Sequence, residues 1–185
     1  MKKALLIIIL ISSFCNTHAQ GNTTTTPENP LDMSLQLKNI ENYGVPTIAS
    51  VDAMKIEAET LYNNQQYKEA IVAFRLFIEN ANWLANILSQ CVEPYYSASY
   101  DDRNNISYSI LKSYIPYENA ANKYKEERNI AYLMIGQCYK EIGDIPNAVA
   151  YLYQALDLLS VDQEIYWYKA ARLLSELVGF DPNYL

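Results

Sequence analysis

Three cysteines, one histidine and 21 acidic side chains are the groups with which this 185-residue chain could do chemistry. The only histidine, His18, stands just before a signal-type cleavage point at Ala19, so the processed chain is expected to have none for a nucleophile pair or a metal site. Cys91 and Cys138 stand far apart in the chain, without the paired spacing of a zinc or redox motif. The acidic residues are numerous enough for two-carboxylate hydrolysis, but no pair is singled out, and acidic positions on helices ordinarily form a solvated face. The stretch "IGQCYKEIGDIPNAVAYLYQAL", Ile135 to Leu156, holds two glycines. It lacks the preceding strand and the Gly-Lys-Ser/Thr ending of a phosphate loop. No catalytic residue, metal or cofactor is expected, so the chain reads as noncatalytic.

The N-terminus has the layout of a secretory signal. Lys2 and Lys3 precede an unbroken apolar run from Ala4 to Ile11, and Ala19 offers a small residue before Gln20. The run is too short for the roughly 20 apolar residues that span a bilayer. A lipid on Cys15 is the rival reading, opposed by bulky Phe14 beside it. Cleavage after Ala19 would remove Lys2, Lys3 and His18, leaving a chain still more acidic and without histidine. Such an acidic chain does not suit nucleic acid, whose binding rests on phosphate neutralisation, nor direct insertion into an anionic membrane. Export permits a disulfide, but two small apolar residues buried in helices are the simpler account of Cys91 and Cys138.

Residues 20–50 begin "QGNTTTTPENPLD" and read as a flexible linker, with Ser50 or Asp52 as the cap of the first helix. From 51 to 179, apolar residues recur at intervals of three and four with no strand-like alternation, so the domain is all-α. Within it, "AETLYNNQQYKEAIVAFRLF" parallels "GQCYKEIGDIPNAVAYLYQA". Ala58 matches Gly136, Leu61 Tyr139, Tyr67 Ile145, Ala70 Ala148, Phe74 Leu152 and Phe77 Ala155, every pair at the same offset along the chain. Matches that all keep one register indicate a duplicated helix pair. Tyr132, Gly136 and Tyr139 recur as Tyr166, Ala170 and Leu173, at a second, shorter offset common to all three.

The physical roles follow from residue type. Gly136, Ala58, Ala70, Ala148 and Ala170 are small where two helices cross closely. Gly143 suits the left-handed residue that ends a helix, and Pro146 the first turn of the next.

That shorter offset, a helix-turn-helix period of about 34 residues, resembles the period of the tetratricopeptide repeat. The resemblance covers 51–179 and implies an α-α superhelix of antiparallel helix pairs. On this reading the repeats span about 51–84, 85–128 and 129–162, with a capping helix at 163–179 and a tail at 180–185. The middle repeat is irregular: "NWLANILSQCV" would be its first helix, "EPYYSASYDDRNN" an inserted loop, and "ILKSYIPYENAANKY" its second helix.

The resemblance also implies a concave groove lined by the first helix of each pair, binding a peptide or protein segment. Carried onto this chain it is lined by Lys55, Glu59 and Tyr62, then Leu133, Gln137 and Lys140, then Trp167, Ala171 and Leu174. Glu59, Leu133 and Gln137 depart from the basic pattern of members that clamp acidic chaperone tails, so that function is not expected. Of the 17 tyrosines, Tyr67, Tyr117, Tyr132, Tyr139 and Tyr166 fall in packing slots. Tyr95, Tyr96 and Tyr100 cluster in the insertion, where they either recognise a ligand or cover the irregular unit. The expected function is protein–protein interaction in the bacterial periplasm or cell envelope. Its rivals are a structural subunit that self-associates as a homo-oligomer or docks in an assembly, and glycan binding through the insertion tyrosines.

Overall fold

In a computed structural model of the chain, residues 34–180 are described; the signal expected at 1–19, the stretch up to 33 and the residues beyond 180 lie outside them. The chain divides into two units after Glu41. Helix α1, Ser34–Tyr43, straddles that division. It is a correction to the linker reading of 20–50, since this part of the segment is helical.

The second unit holds α2 (Ile48–Asn63), α3 (Tyr67–Gln90), α4 (Tyr100–Asn104), α5 (Tyr108–Glu141), α6 (Ile145–Leu158), a 3₁₀ turn (Val161–Gln163) and α7 (Glu164–Leu177). Helix α2 starts before the expected cap. Thr47 Oγ1 accepts the Ser50 N–H at 3.1 Å and Ser50 Oγ accepts the Thr47 N–H at 2.9 Å, a reciprocal capping box.

Helices α2 and α3 form one tight hairpin, and the C-terminal part of α5 forms another with α6. The two turns are built alike. Gln66 N–H donates to the Leu61 carbonyl and Asp144 N–H to the Tyr139 carbonyl, both at 2.9 Å. Asn64 N–H reaches Thr60 and Ile142 N–H reaches Cys138, at 3.0 and 3.1 Å. Each bond recurs at the offset that relates the matched side chains, so the duplication is also one of backbone geometry. Gly143 takes the left-handed conformation there, φ +79°. Its counterpart Gln65 takes it at φ +60° without the freedom of glycine.

The middle of the array is not two separate helices per repeat. Helix α3 continues through residue 84 to Gln90, absorbing the segment expected as a new first helix. Helix α5 likewise runs through 128. Neither junction offers the glycine or proline that would end a helix, and "LFIENANWLANIL" is apolar on several faces. The result is a long α3–α5 hairpin whose open end is bridged by residues 91–107.

The core consists of two buried clusters that span the hairpins. Val51 and Ala58 of α2, Phe74 and Phe77 of α3, Tyr124, Ile135 and Cys138 of α5, and Ala148 of α6 form one buried cluster. Leu133, Leu152, Ala155, Ala170 and Leu173 form a second cluster that reaches α7, and half-buried Tyr132 and Leu177 pack against both. Each large side chain so buried contributes about 1.5–3 kcal/mol. On the flank, Arg75 Nη2 donates to Tyr139 Oη at 2.7 Å and Nε to Tyr151 Oη at 3.0 Å, tying α3 to α5 and α6.

Helices α5 and α6 cross closely at Gly136: a Cβ there would lie 2.8 Å from Leu152 Cγ and 3.2 Å from its backbone N. Substituting Gly136→Ala must therefore move α6 or displace Leu152. We predict a loss of about 1–3 kcal/mol in denaturant unfolding; an unchanged midpoint would contradict the close crossing.

Candidate functional site

Helices α2, the C-terminal part of α5 and α7 run side by side in the same direction, linked by paired side chains. On the α2–α5 seam, Tyr124 Oη donates to Asp52 Oδ1 at 3.0 Å, Lys55 Nζ to Glu127 Oε1 at 3.0 Å and Tyr62 Oη to Gln137 Oε1 at 3.4 Å. Partners advance in the same order along both helices, as parallel neighbours require. On the α5–α7 seam, Lys140 Nζ donates to Glu176 Oε2 at 2.7 Å.

Between these helices lies a cleft with a cavity of about 60 Å³. Its floor is Phe74 and Phe77 of α3, its walls are Ile130, Ala131 and Met134 of α5 and Tyr166 of α7, and Lys55, Glu59 and Glu127 bring charge to it. Lys55 also stands 3.8 Å from Glu59. Glu127 is the most enclosed of the three, with 16% of its side chain exposed. Its Oε1 is taken by Lys55, while its Oε2 is buried with no hydrogen-bond partner among the described residues.

A larger open hollow of about 470 Å³ lies on the first hairpin, lined only by α2 and α3 residues such as Met54, Leu61, Val72 and Leu76. Glu57 and Glu69 are its charged members. Binding sites are mostly apolar with a few convergent polar groups, and the convergence is found in the cleft.

The groove residues read from the sequence meet different fates. Lys55 and Glu59 line the cleft. Tyr62 and Gln137 are brought together across the α2–α5 seam, and Lys140 is engaged by Glu176. Leu133 is a correction: it has no exposed surface and packs with Leu152 and Ala170 in the core, out of reach of a ligand. Trp167 and Leu174 are half-buried against that same cluster, with Trp167 edge-on to Tyr168. Ala171 is half-buried and does not line the cleft.

Glu127, Ile130, Met134 and Tyr166 were not picked out by sequence reasoning. Apolar residues occupy 130, 131, 133, 134 and 135, so α5 is apolar toward both neighbours and periodicity cannot say which side stays open. Tyr166, expected as packing, keeps 41% of its surface exposed.

The insertion is folded onto the N-terminal half of α5. Tyr95 is buried, tilted against Tyr114 with centroids 5.3 Å apart, and lies under the Arg103 guanidinium. Tyr96 accepts from Lys125 Nζ at 2.7 Å and donates to Asn122 at 3.2 Å. Arg103 pairs with Glu118 at 3.2 Å and also donates to the Tyr96 carbonyl. Of the three loop tyrosines, only Tyr100 stands out into solvent, 79% exposed. Both cysteines of the domain are free; Cys138 is buried, whereas Cys91, expected inside, is exposed at the end of α3.

Taken as a whole, the second unit is a stack of packed helical hairpins, compatible with a helical repeat. No family model, no curated protein and no solved structure matches the chain.

Cys138, Tyr124 and Lys55 are among the groups that make this assembly sensitive to alkali. Burial pushes the Cys138 thiol up to about 12. Burial and the bond to Asp52 push the Tyr124 phenol up to about 12. Burial works to lower Lys55, but the hydrogen bond and charge of Glu127, with Glu59 and Asp52 adding, carry it above its ordinary value. In each case the fold holds the proton more tightly than the unfolded chain does. The stability this contributes is complete below the unfolded values, about 8.5 for Cys and about 10 for Tyr and Lys, and is lost as pH rises through the folded ones. Unfolding free energy is predicted to fall continuously from about pH 9 to about pH 12, and to fall less over that interval in Tyr124→Phe. A flat profile would contradict this account.

Proposed function

We propose that the protein is an exported, noncatalytic module of tetratricopeptide type that holds a segment of another protein in the cleft between α2, α5 and α7. Its place would be the periplasm or cell envelope of a bacterium. The observation that carries this reading is the meeting of apolar Ile130, Met134 and Tyr166 with charged Lys55, Glu59 and Glu127 in one cleft between three parallel helices. Two seams of bonded pairs hold those helices at a set spacing, so a docked segment would meet a preformed surface and lose less entropy on binding. The repeat family itself is supported by the recurrence of side chains and turn bonds in one register. Fold alone does not supply a function; the polar convergence in the cleft is what favours binding there.

Self-association is the second reading, and it has its own observation. At the far end of the stack Ile165, Tyr168 and Val178 are all more than half exposed, where a terminal helix would ordinarily be polar.

The test is a pull-down from bacterial envelope extract with the chain lacking residues 1–19, beside an Ile130→Arg, Met134→Arg variant of unchanged helicity. The variant is predicted to lose the partner, with at least about a tenfold drop in affinity once it is identified. A partner held equally by both would contradict the cleft. Nothing retained by either, with a dimer seen by light scattering, would favour self-association.

A further inference from the structure

The charge balance of the cleft points to the chemistry of what it holds. Glu59 and Glu127 face one cation, Lys55, so the cavity carries an excess negative charge. Lys55 occupies only one oxygen of Glu127; the other is buried and unbonded. A buried carboxylate oxygen without a donor is costly, and a charged donor recovers more than a neutral one. Neighbouring cations do not fill this role. Lys123 pairs with Asp52, Lys140 with Glu176, and Arg128 donates to Asn82 and Asn129.

The rest of the lining suits the other end of a long basic side chain. Ile130 and Met134, both half-buried, offer apolar surface along which an aliphatic stem can lie. Tyr166 presents an accessible aromatic ring at the wall, able to stack on a cationic head. A cavity of about 60 Å³ has space for the end of one side chain and not for a folded surface. The chain as a whole, with a net charge of −7, would steer a basic segment toward it.

We propose that the cleft anchors a lysine or arginine side chain of the partner segment, its cationic head competing with Lys55 for Glu127 and Glu59, its stem along Ile130 and Met134. This rests on the reading of the cleft as a segment-binding groove, and it names the class of segment: extended, basic, with an apolar neighbour to the anchoring residue. Lys55 then competes with the ligand for Glu127, which sets variants of the two residues in opposite directions.

The probe is a random short-peptide display library, panned against the chain lacking residues 1–19 and, in parallel, against Glu127→Gln and Lys55→Met variants of unchanged circular dichroism. Enriched peptides are expected to share one Lys or Arg position. Synthetic copies should bind Glu127→Gln roughly tenfold or more weakly, and Lys55→Met more tightly than the parent. Peptides enriched without a basic position, or bound equally by Glu127→Gln, would overturn the basic anchor while leaving the groove in place, provided Ile130→Arg, Met134→Arg abolishes them. Peptides indifferent to every cleft variant, or no enrichment at all, would overturn the groove reading and this inference with it.

Discussion

Helices can stack in this protein only because they approach more closely than ordinary side chains would allow. Gly136 lies against Leu152 with no space for a methyl group, and Ala58, Ala70, Ala148 and Ala170 are fully enclosed at comparable crossings. Close approach is what lets the turns between helices be so short, and short turns dictate antiparallel hairpins. Antiparallel hairpins stacked in series put α2, α5 and α7 side by side in one direction. The cleft therefore follows from a packing constraint laid down by a handful of small residues some distance from it.

The long α3–α5 hairpin imposes a second constraint. Regular repeats are joined by turns, and each can adjust to its neighbour. Here α3 and α5 each run through two repeat positions, so the first and last hairpins share rigid elements. The extra length at the open end is sealed by the insertion, with Tyr95 and Arg103 clamped on Glu118 and Tyr96 on Lys125. Recognition and covering were both open roles for the loop tyrosines. Tyr95 and Tyr96 cover, and only Tyr100 is left to solvent.

Much of the fold was legible because small and aromatic residues recur in register, and such residues have few alternatives at a helix crossing. The all-α class, the duplicated hairpin, the left-handed Gly143 and the position of Pro146 at the start of α6 all came from that signal. What escaped were continuities and caps. A helix that fails to break leaves no mark in a pattern whose repeats are defined by side-chain faces, and Thr47 with Ser50 is a cap made by two common residues. At the site, the α2 positions Lys55 and Glu59 expected from the sequence do line the cleft, because α2 has one buried side. Helix α5 is buried on several sides, so Leu133 was taken for a groove residue while Ile130 and Met134 were passed over.

Photo-crosslinking from single positions tests the central claim, that the concave side between parallel helices is where another protein is met. A benzophenone side chain would replace Ile130 in the cleft or, separately, exposed Val72 on the opposite hollow of the first hairpin. In cells irradiated under native expression, the account predicts a discrete higher-mass adduct from Ile130 and none from Val72. An adduct from Val72 alone would contradict it and move recognition to the outer face of α2 and α3.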